Sequence, residues 1–118
     1  ASVGLASPSA LLALVPCREM ARGYVGILSA ELHFPDNGSL KGKRRHLAST
    51  KAQLRERFGA AVAEVDYHDL WQRSRLTVAC VAREHRELQE LLDAVERHLG
   101  SQSFELLRAE REVVVPDD

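Results

Sequence analysis

The spacing of apolar residues switches between two periods along most of this chain, and this switching limits the possible folds more than any other feature. Apolar and polar residues alternate in residues 24–34 and 73–82, which is typical of half-buried β-strands. Apolar residues recur at helical spacing in residues 40–58 and 84–99, which is typical of amphipathic helices. Two further strands are predicted, because residues 60–66 are small or β-branched and residues 104–115 form an apolar-rich run before Pro116.

The ends of both helices carry turn and cap signals. The turn sequence PDNG in residues 35–38 ends the first strand, and Ser39 then stands where a helix N-cap belongs. Gly59 and Gly100 each follow a predicted helix, at the position that favours a left-handed glycine. These signals predict where each helix begins and ends.

The order β-α-β-β-α-β predicts an α+β fold, the ferredoxin-like sandwich. Right-handed crossovers then place both helices on one face of a four-stranded antiparallel sheet. The other face is open, and the alternation places Glu31, His33, Arg75 and Thr77 on it. Such a face must be wet, covered by a partner or bound to a ligand, and the fold does not choose among these.

Composition divides the 118 residues into an extension and one domain. Residues 1–20 hold few charges and a short apolar run, so we expect an N-terminal extension ahead of a domain at residues 21–118. The extension is either mobile or docked through Leu11, Leu12 and Leu14. The run lacks the parts of a secretory signal and nothing approaches a membrane span. Two cysteines cannot form a disulfide framework, so we expect a cytoplasmic protein with no membrane partner.

Charge is distributed unevenly between the two predicted helices. The first carries a balance of +6, from Lys41, Lys43, Arg44, Arg45, Lys51, Arg55 and Arg57 against Glu56. The second has a balance of −3, from Glu84, Glu87, Glu90, Asp93 and Glu96 against Arg86 and Arg97. Cations at a helix start oppose the helix dipole, which indicates an external anion such as phosphate. The alternative is a solvated face that only keeps the protein soluble.

A phosphate-binding surface follows as the leading prediction. We expect phosphate contacts from four residues of the first helix, with two arginines of the third strand extending the surface: Lys41, Lys43, Arg44 and Arg45, then Arg73 and Arg75. The predicted central strands lack the aromatic pairs that RNA-recognition motifs use for stacking. Binding to the nucleic-acid backbone is therefore favoured over base recognition.

No arrangement of residues predicts catalysis or metal binding. The five histidines are scattered and have no ligand spacing with a cysteine, and the pair His68-Asp69 lacks further ligands. Cys80 falls on the apolar side of a strand, so we expect a buried thiol. Trp71 either plugs the end of the sheet or binds a ligand. We expect a protein that is not an enzyme and has no cofactor and no metal; an enzyme acting on a phosphorylated substrate is the alternative.

Five blocks of sequence resemble successive motifs of the YlxP-like family of small uncharacterised bacterial proteins, domain-of-unknown-function family 503. They are YVGIL (24–28), ELH (31–33), SLKGKR (39–44), VAEV (62–65) and DLWQR (69–73). The resemblance covers about residues 22–115 and implies a ferredoxin-like fold and self-association. Family genes often lie among translation genes, which implies an RNA- or ribosome-related accessory role. No catalytic residues are defined in the family.

The chain departs from the family pattern at two places. Gly42 stands where the family usually has Glu, so Ser39 loses a capping-box partner and the first helix loses up to ~1 kcal/mol of propensity relative to Ala. Tyr67 and His68 stand where Gly followed by Asp or Gln is common, which puts the loop geometry there in doubt.

Two functions are therefore predicted. The first is an RNA- or ribosome-associated factor that binds through the basic first helix. The second is a homo-oligomer, most simply a dimer, that binds a small ligand or a partner protein on its open sheet face through Glu31, His33 and Trp71.

Overall fold

The computed structural model describes residues 22–116. The expectations for residues 1–20, including the docking of the leucines at 11, 12 and 14, fall outside the described residues, as does the end of the domain at 117–118. The six elements are β1 (Tyr24–His33), α1 (Leu40–Phe58), β2 (Ala61–Asp66), β3 (Arg73–Ala82), α2 (His85–Gly100) and β4 (Glu105–Val114). Their order and type agree with the prediction.

The four strands form one antiparallel sheet in the order β2-β3-β1-β4. Both helices pack on the same side of it, α1 against β2, and α2 against β1 and β3. The predicted ferredoxin-like α+β fold is therefore confirmed. Within residues 22–116, neither helix combines the length and apolar composition needed to cross a membrane.

The pleat of the sheet separates a helix-covered face from an open face. On β1 and β3 the side chains toward the helices are buried, namely Leu28, Ala30, Leu32, Leu76, Val78 and Cys80. They pack with Leu88, Leu92, Val95 and Leu99 of α2 to form the core. The alternate residues point to the open face, so Glu31, His33, Arg75 and Thr77 lie there as predicted.

The helix ends agree with the cap signals except at one glycine. Ser39 Oγ accepts a hydrogen bond from the Gly42 N–H at 3.0 Å, and Gly59 is left-handed, with φ 62°. α2 ends at Gly100, one residue later than predicted, and that residue has no positive φ. Ser101 is the cap instead and its N–H donates to the His98 carbonyl, so the left-handed glycine expected there is wrong.

Candidate nucleic-acid interface

Five cations lie along one side of α1, and we call them the α1 stripe: Lys41, Arg44, Arg45, Lys51 and Arg55. Their positions follow the spacing of three, four and seven residues that places side chains on one face of a helix. All but the half-buried Lys51 are exposed. At 1.5 Å of rise per residue the stripe spans about 21 Å. Lys51 and Arg55 lengthen the predicted site, and their spacing of seven and eleven residues from Arg44 is the signal that could have identified them.

None of the five stripe cations forms an ion pair or a side-chain hydrogen bond with any residue between 22 and 116. The only acidic residue of α1 is Glu56, which is exposed and makes no ion pair within that range. The stripe is therefore a run of solvated positive charge without a neutralising partner in the described part of the chain.

The arginines of the strands are, by contrast, all neutralised. Glu31 on β1 binds both Arg73 and Arg75 of β3, the latter at 3.0 Å. On β4, Arg108 pairs with Glu110 at 2.6 Å, and Arg111 reaches across to Asp93 of α2 at 2.7 Å. The sheet thus holds its cations in internal pairs.

Lys43 requires a correction, because it is buried rather than exposed. Its side chain is 1% exposed and its ammonium lies 3.0 Å from a carboxylate oxygen of Glu64. The same ammonium donates to the carbonyls of Tyr67 at 2.7 Å, and of His68 and Arg73 at 3.2 Å each. Every donor of Lys43 is therefore used inside the protein, and a phosphate cannot reach it.

The loop that follows β2 is held in a strained conformation by these bonds. Tyr67 has φ 66°, a left-handed conformation that costs a non-glycine residue about 1–3 kcal/mol. Lys43 holds its carbonyl, and Asp66 Oδ1 accepts a hydrogen bond from its N–H at 2.8 Å. The Tyr67 ring lies against the guanidiniums of Arg73 and Arg75, whose Cζ atoms are 5.2 and 5.6 Å from the ring centroid. Gly would adopt this conformation without strain.

The Arg73 and Arg75 side chains do not extend the basic surface of α1. They lie on the open face, whereas α1 packs on the opposite face of the sheet. The hydrogen bond from Arg75, together with Arg73, lowers the pKa of Glu31, and the bond to Glu31 raises the pKa of Arg75. The predicted role of these two arginines as an extension of the α1 surface is therefore wrong.

Of the three residues predicted for the partner face, two lie on a strand and one lies in a loop. Glu31 and His33 are on the open face, where His33 Nδ1 lies 2.8 Å from a carboxylate oxygen of Glu105. Trp71 lies outside the strands, in the loop at residues 67–72. Its carbonyl accepts a hydrogen bond from Asn37 Nδ2 at 2.6 Å, and the same nitrogen donates to the Ser39 carbonyl at 2.7 Å. The Trp71 backbone is therefore tied to the first turn of α1, while its side chain lines a depression together with Arg73.

The open face carries a shallow cleft of about 250 Å³ beside the Glu31 cluster. It is lined by Ser29, Ala30, Glu31, Arg75, Arg108 and Glu110. Its charges are paired, so a ligand would have to displace existing ion pairs to bind there.

Cys80 lies in the core, and burial raises the pKa of its thiol. A raised pKa keeps the thiol protonated at neutral pH and thus a poor nucleophile. Among residues 22–116 no three histidine, cysteine, aspartate or glutamate side chains are grouped as metal ligands. The polar side chains of this part of the chain are therefore arranged chiefly as ion pairs and loop contacts.

Comparison with known proteins places these features within a family. The model of the family described as "Protein of unknown function (DUF503)" matches residues 25–111. The chain belongs to this family. The uncharacterised protein YlxP of Bacillus subtilis (strain 168) is similar to it, with 32% identity over 72 residues that make up 58% of this chain and 78% of the relative. The family match therefore spans the α1 stripe, the buried lysine and the loop that bears Trp71.

Proposed function

We propose that this chain binds the phosphate backbone of RNA through the α1 stripe, as an accessory factor without catalytic activity, and that ribosomal RNA is the first ligand to test. The observation that carries the proposal is the absence of ion pairs at all five stripe cations within residues 22–116. Cations without an internal partner can bind phosphates, and thereby release counterions from the nucleic acid, without breaking an ion pair of the protein.

The geometry of α1 supports this role. Lys41 lies in the first turn, where the backbone N–H groups not used by Ser39 add to the attraction for an anion. Arg55 lies about 21 Å further along the helix. A ligand with charges repeated along its length, such as a nucleic-acid strand, can contact the whole stripe, whereas a single small anion can contact only part of it.

The test is a salt titration of binding to ribosomal RNA. The variant Lys41→Glu, Arg44→Glu, Arg45→Glu should lose at least about tenfold in affinity, because it reverses three charges that contact phosphate. Each lost contact should also flatten the slope of log affinity against log salt by about 0.7–0.9. Lys43 is left unchanged, because it is internal and its loss would unfold the site. Unaltered affinity and salt slope in the triple variant would overturn the proposal.

A matched control separates local from overall charge. Arg83, Arg86 and Arg97 are exposed cations at the start of α2 or on it. Their combined reversal to Glu changes the net charge by the same amount as the triple variant. RNA binding should persist in this control apart from a general electrostatic weakening. An equal loss in both variants would mean that the position of the charges does not matter.

A second candidate function is self-association through the open face, into a homo-oligomer that presents a ligand or partner site. Val25 stands directly between Val81 and Val114 in the sheet register, at the end of the face away from Glu31. Val81 is 68% exposed, so this row presents apolar surface to water.

Light scattering tests this second function. We expect the wild-type chain to show the mass of a dimer and Val81→Arg to show that of a monomer, since the substitution puts a charge on the most exposed residue of the apolar row. Leu107→Arg is the control, as Leu107 is 50% exposed on β4 outside that row. Glu31→Arg is the poorer probe, because it would place a third arginine beside Arg73 and Arg75.

A further inference from the structure

Trp71 is the largest exposed apolar side chain among residues 22–116, and neither the phosphate contacts nor the core uses it. It is the only tryptophan of the chain and is 54% exposed. Leu70 beside it is 47% exposed. These two residues, with Asp69, Gln72 and Arg73, line an open depression of about 410 Å³.

The loop that presents Trp71 is anchored along its length. Lys43 holds the carbonyls of Tyr67 and His68 from below. Gln72 Nε2 donates to the Asn37 carbonyl at 3.1 Å, and the Gln72 carbonyl accepts from the Phe34 N–H at 2.8 Å. An aromatic side chain on a preorganised loop binds a ligand at a smaller entropic cost than one on a mobile loop.

The loop is also fastened to the start of α1. A single amide nitrogen, Asn37 Nδ2, bridges the Trp71 carbonyl and the carbonyl of Ser39, the N-cap of the helix. Lys41 follows two residues later and begins the α1 stripe. The backbone of the loop that bears the exposed indole is thus joined to the start of a run of unpaired cations. An aromatic ring together with cations is the combination used by proteins that bind single-stranded nucleic acids.

We infer that Trp71 stacks on an unpaired base of single-stranded RNA while the α1 stripe contacts the neighbouring phosphates. This inference rests on the proposed function and specifies its substrate class. A duplex keeps its bases stacked and paired, so only a loop, bulge or end offers a free base to the indole. The central strands lack aromatic pairs and so favour backbone contact alone, whereas Trp71 lies in a loop outside them.

The experiment compares an unstructured 12-nucleotide RNA with its duplex, using the full chain. Fluorescence of the single tryptophan reports Trp71 directly. Single-stranded RNA should quench it, whereas inorganic polyphosphate, which offers phosphates without bases, should bind with little quenching. Trp71→Ala should weaken binding of the single strand about tenfold or more and leave duplex affinity unchanged. Trp71→Phe should retain most of the affinity.

The outcomes separate this inference from the function on which it rests. If the triple variant at Lys41, Arg44 and Arg45 loses RNA binding while Trp71→Ala binds like the wild type, stacking is wrong and phosphate binding stands. If the wild-type chain binds no RNA, both are wrong. If polyglutamate quenches Trp71 as strongly as RNA, the indole recognises an acidic peptide and the inference fails. Leu107→Ala serves as the control for loss of an exposed apolar side chain.

Discussion

The outer side of α1 and the open face of the sheet contain the same kinds of residue and use them in opposite ways. On the sheet, Glu31 binds Arg73 and Arg75, and Arg108 binds Glu110. The five cations of the α1 stripe stand without a carboxylate partner among the described residues. The difference teaches that the number of cations says little about an interface, since only unpaired cations are free to attract phosphate without breaking an internal bond.

Lys43 shows most clearly that a cation of α1 can be internally paired, because it lies on α1 and its side chain is buried. Lys43→Met should lower the free energy of unfolding by about 3 kcal/mol, since it leaves the Glu64 carboxylate without its lysine and releases the strained Tyr67. The expected loss is at the low end for a buried pair because Glu64 is 16% exposed. Urea unfolding measures it.

Two further variants check the cause of that loss. Lys41→Met, two residues away and exposed, should change stability by less than about 0.5 kcal/mol. Adding Glu64→Gln to Lys43→Met should recover part of the loss by removing the unpaired carboxylate. Equal stability of the Lys41→Met and Lys43→Met variants would contradict the buried position of Lys43.

The far end of the α1 stripe gives the next largest effect. The double variant Lys51→Gln, Arg55→Gln should flatten the log–log salt dependence of RNA binding by about 1.4, or two phosphate contacts on a single strand. Arg108→Gln removes an exposed but paired cation from the open face and should leave the slope unchanged. A change with Arg108→Gln and none with the double variant would reverse the comparison between the two surfaces.

Acid should weaken the sheet cluster in a defined direction. The pKa of Glu31 lies below its ordinary value of 4.5 in the folded protein, chiefly because Arg75 binds the carboxylate. Its contribution to stability is therefore complete above pH 4.5 and is lost as the pH falls through the lowered value. Glu31→Gln should be less stable than wild type at neutral pH, and the difference should shrink in acid when followed by urea unfolding.

The matched control for this titration lies on the same face. Glu112 is exposed on β4 and forms no ion pair with a described residue. Glu112→Gln should leave the stability of the protein and its pH dependence nearly unchanged. A constant gap between wild type and Glu31→Gln across the acid range would show that the carboxylate charge is not what holds the arginines.

The smallest effect is expected at Gly42, where helix propensity and packing oppose each other. Ala is favoured over Gly within a helix by about 1 kcal/mol, but a Cβ at position 42 would collide with Asn37 Oδ1. Gly42→Ala should therefore change the stability of the wild-type protein very little. In the Asn37→Ala background the same substitution should stabilise by about 1 kcal/mol relative to Asn37→Ala alone. A double-mutant cycle of thermal unfolding measures this coupling.

The comparison also shows why the predicted site was only partly right. The first helix was recognised from Leu40, Leu47 and Leu54, spaced by seven residues. Lys43 lies three residues after Leu40 and four before Leu47, which is a core position by the same geometry. Because lysine is rarely buried, the residue type predicts an exposed side chain at this position. The spacing predicts a buried one, and the structure agrees with the spacing.

By itself the sequence determined the order of the elements, the helix-facing sides of the strands and most of the caps. Periodicity and capping are local properties that act within a few residues. The tertiary structure alone decided which charges are free, because the partners lie far apart along the chain: Lys43 meets Glu64, and Glu31 meets Arg73 and Arg75. It also joined the Trp71 backbone to the first turn of α1 through Asn37. Ion pairing and burial depend on these long-range contacts, and residue spacing cannot report them.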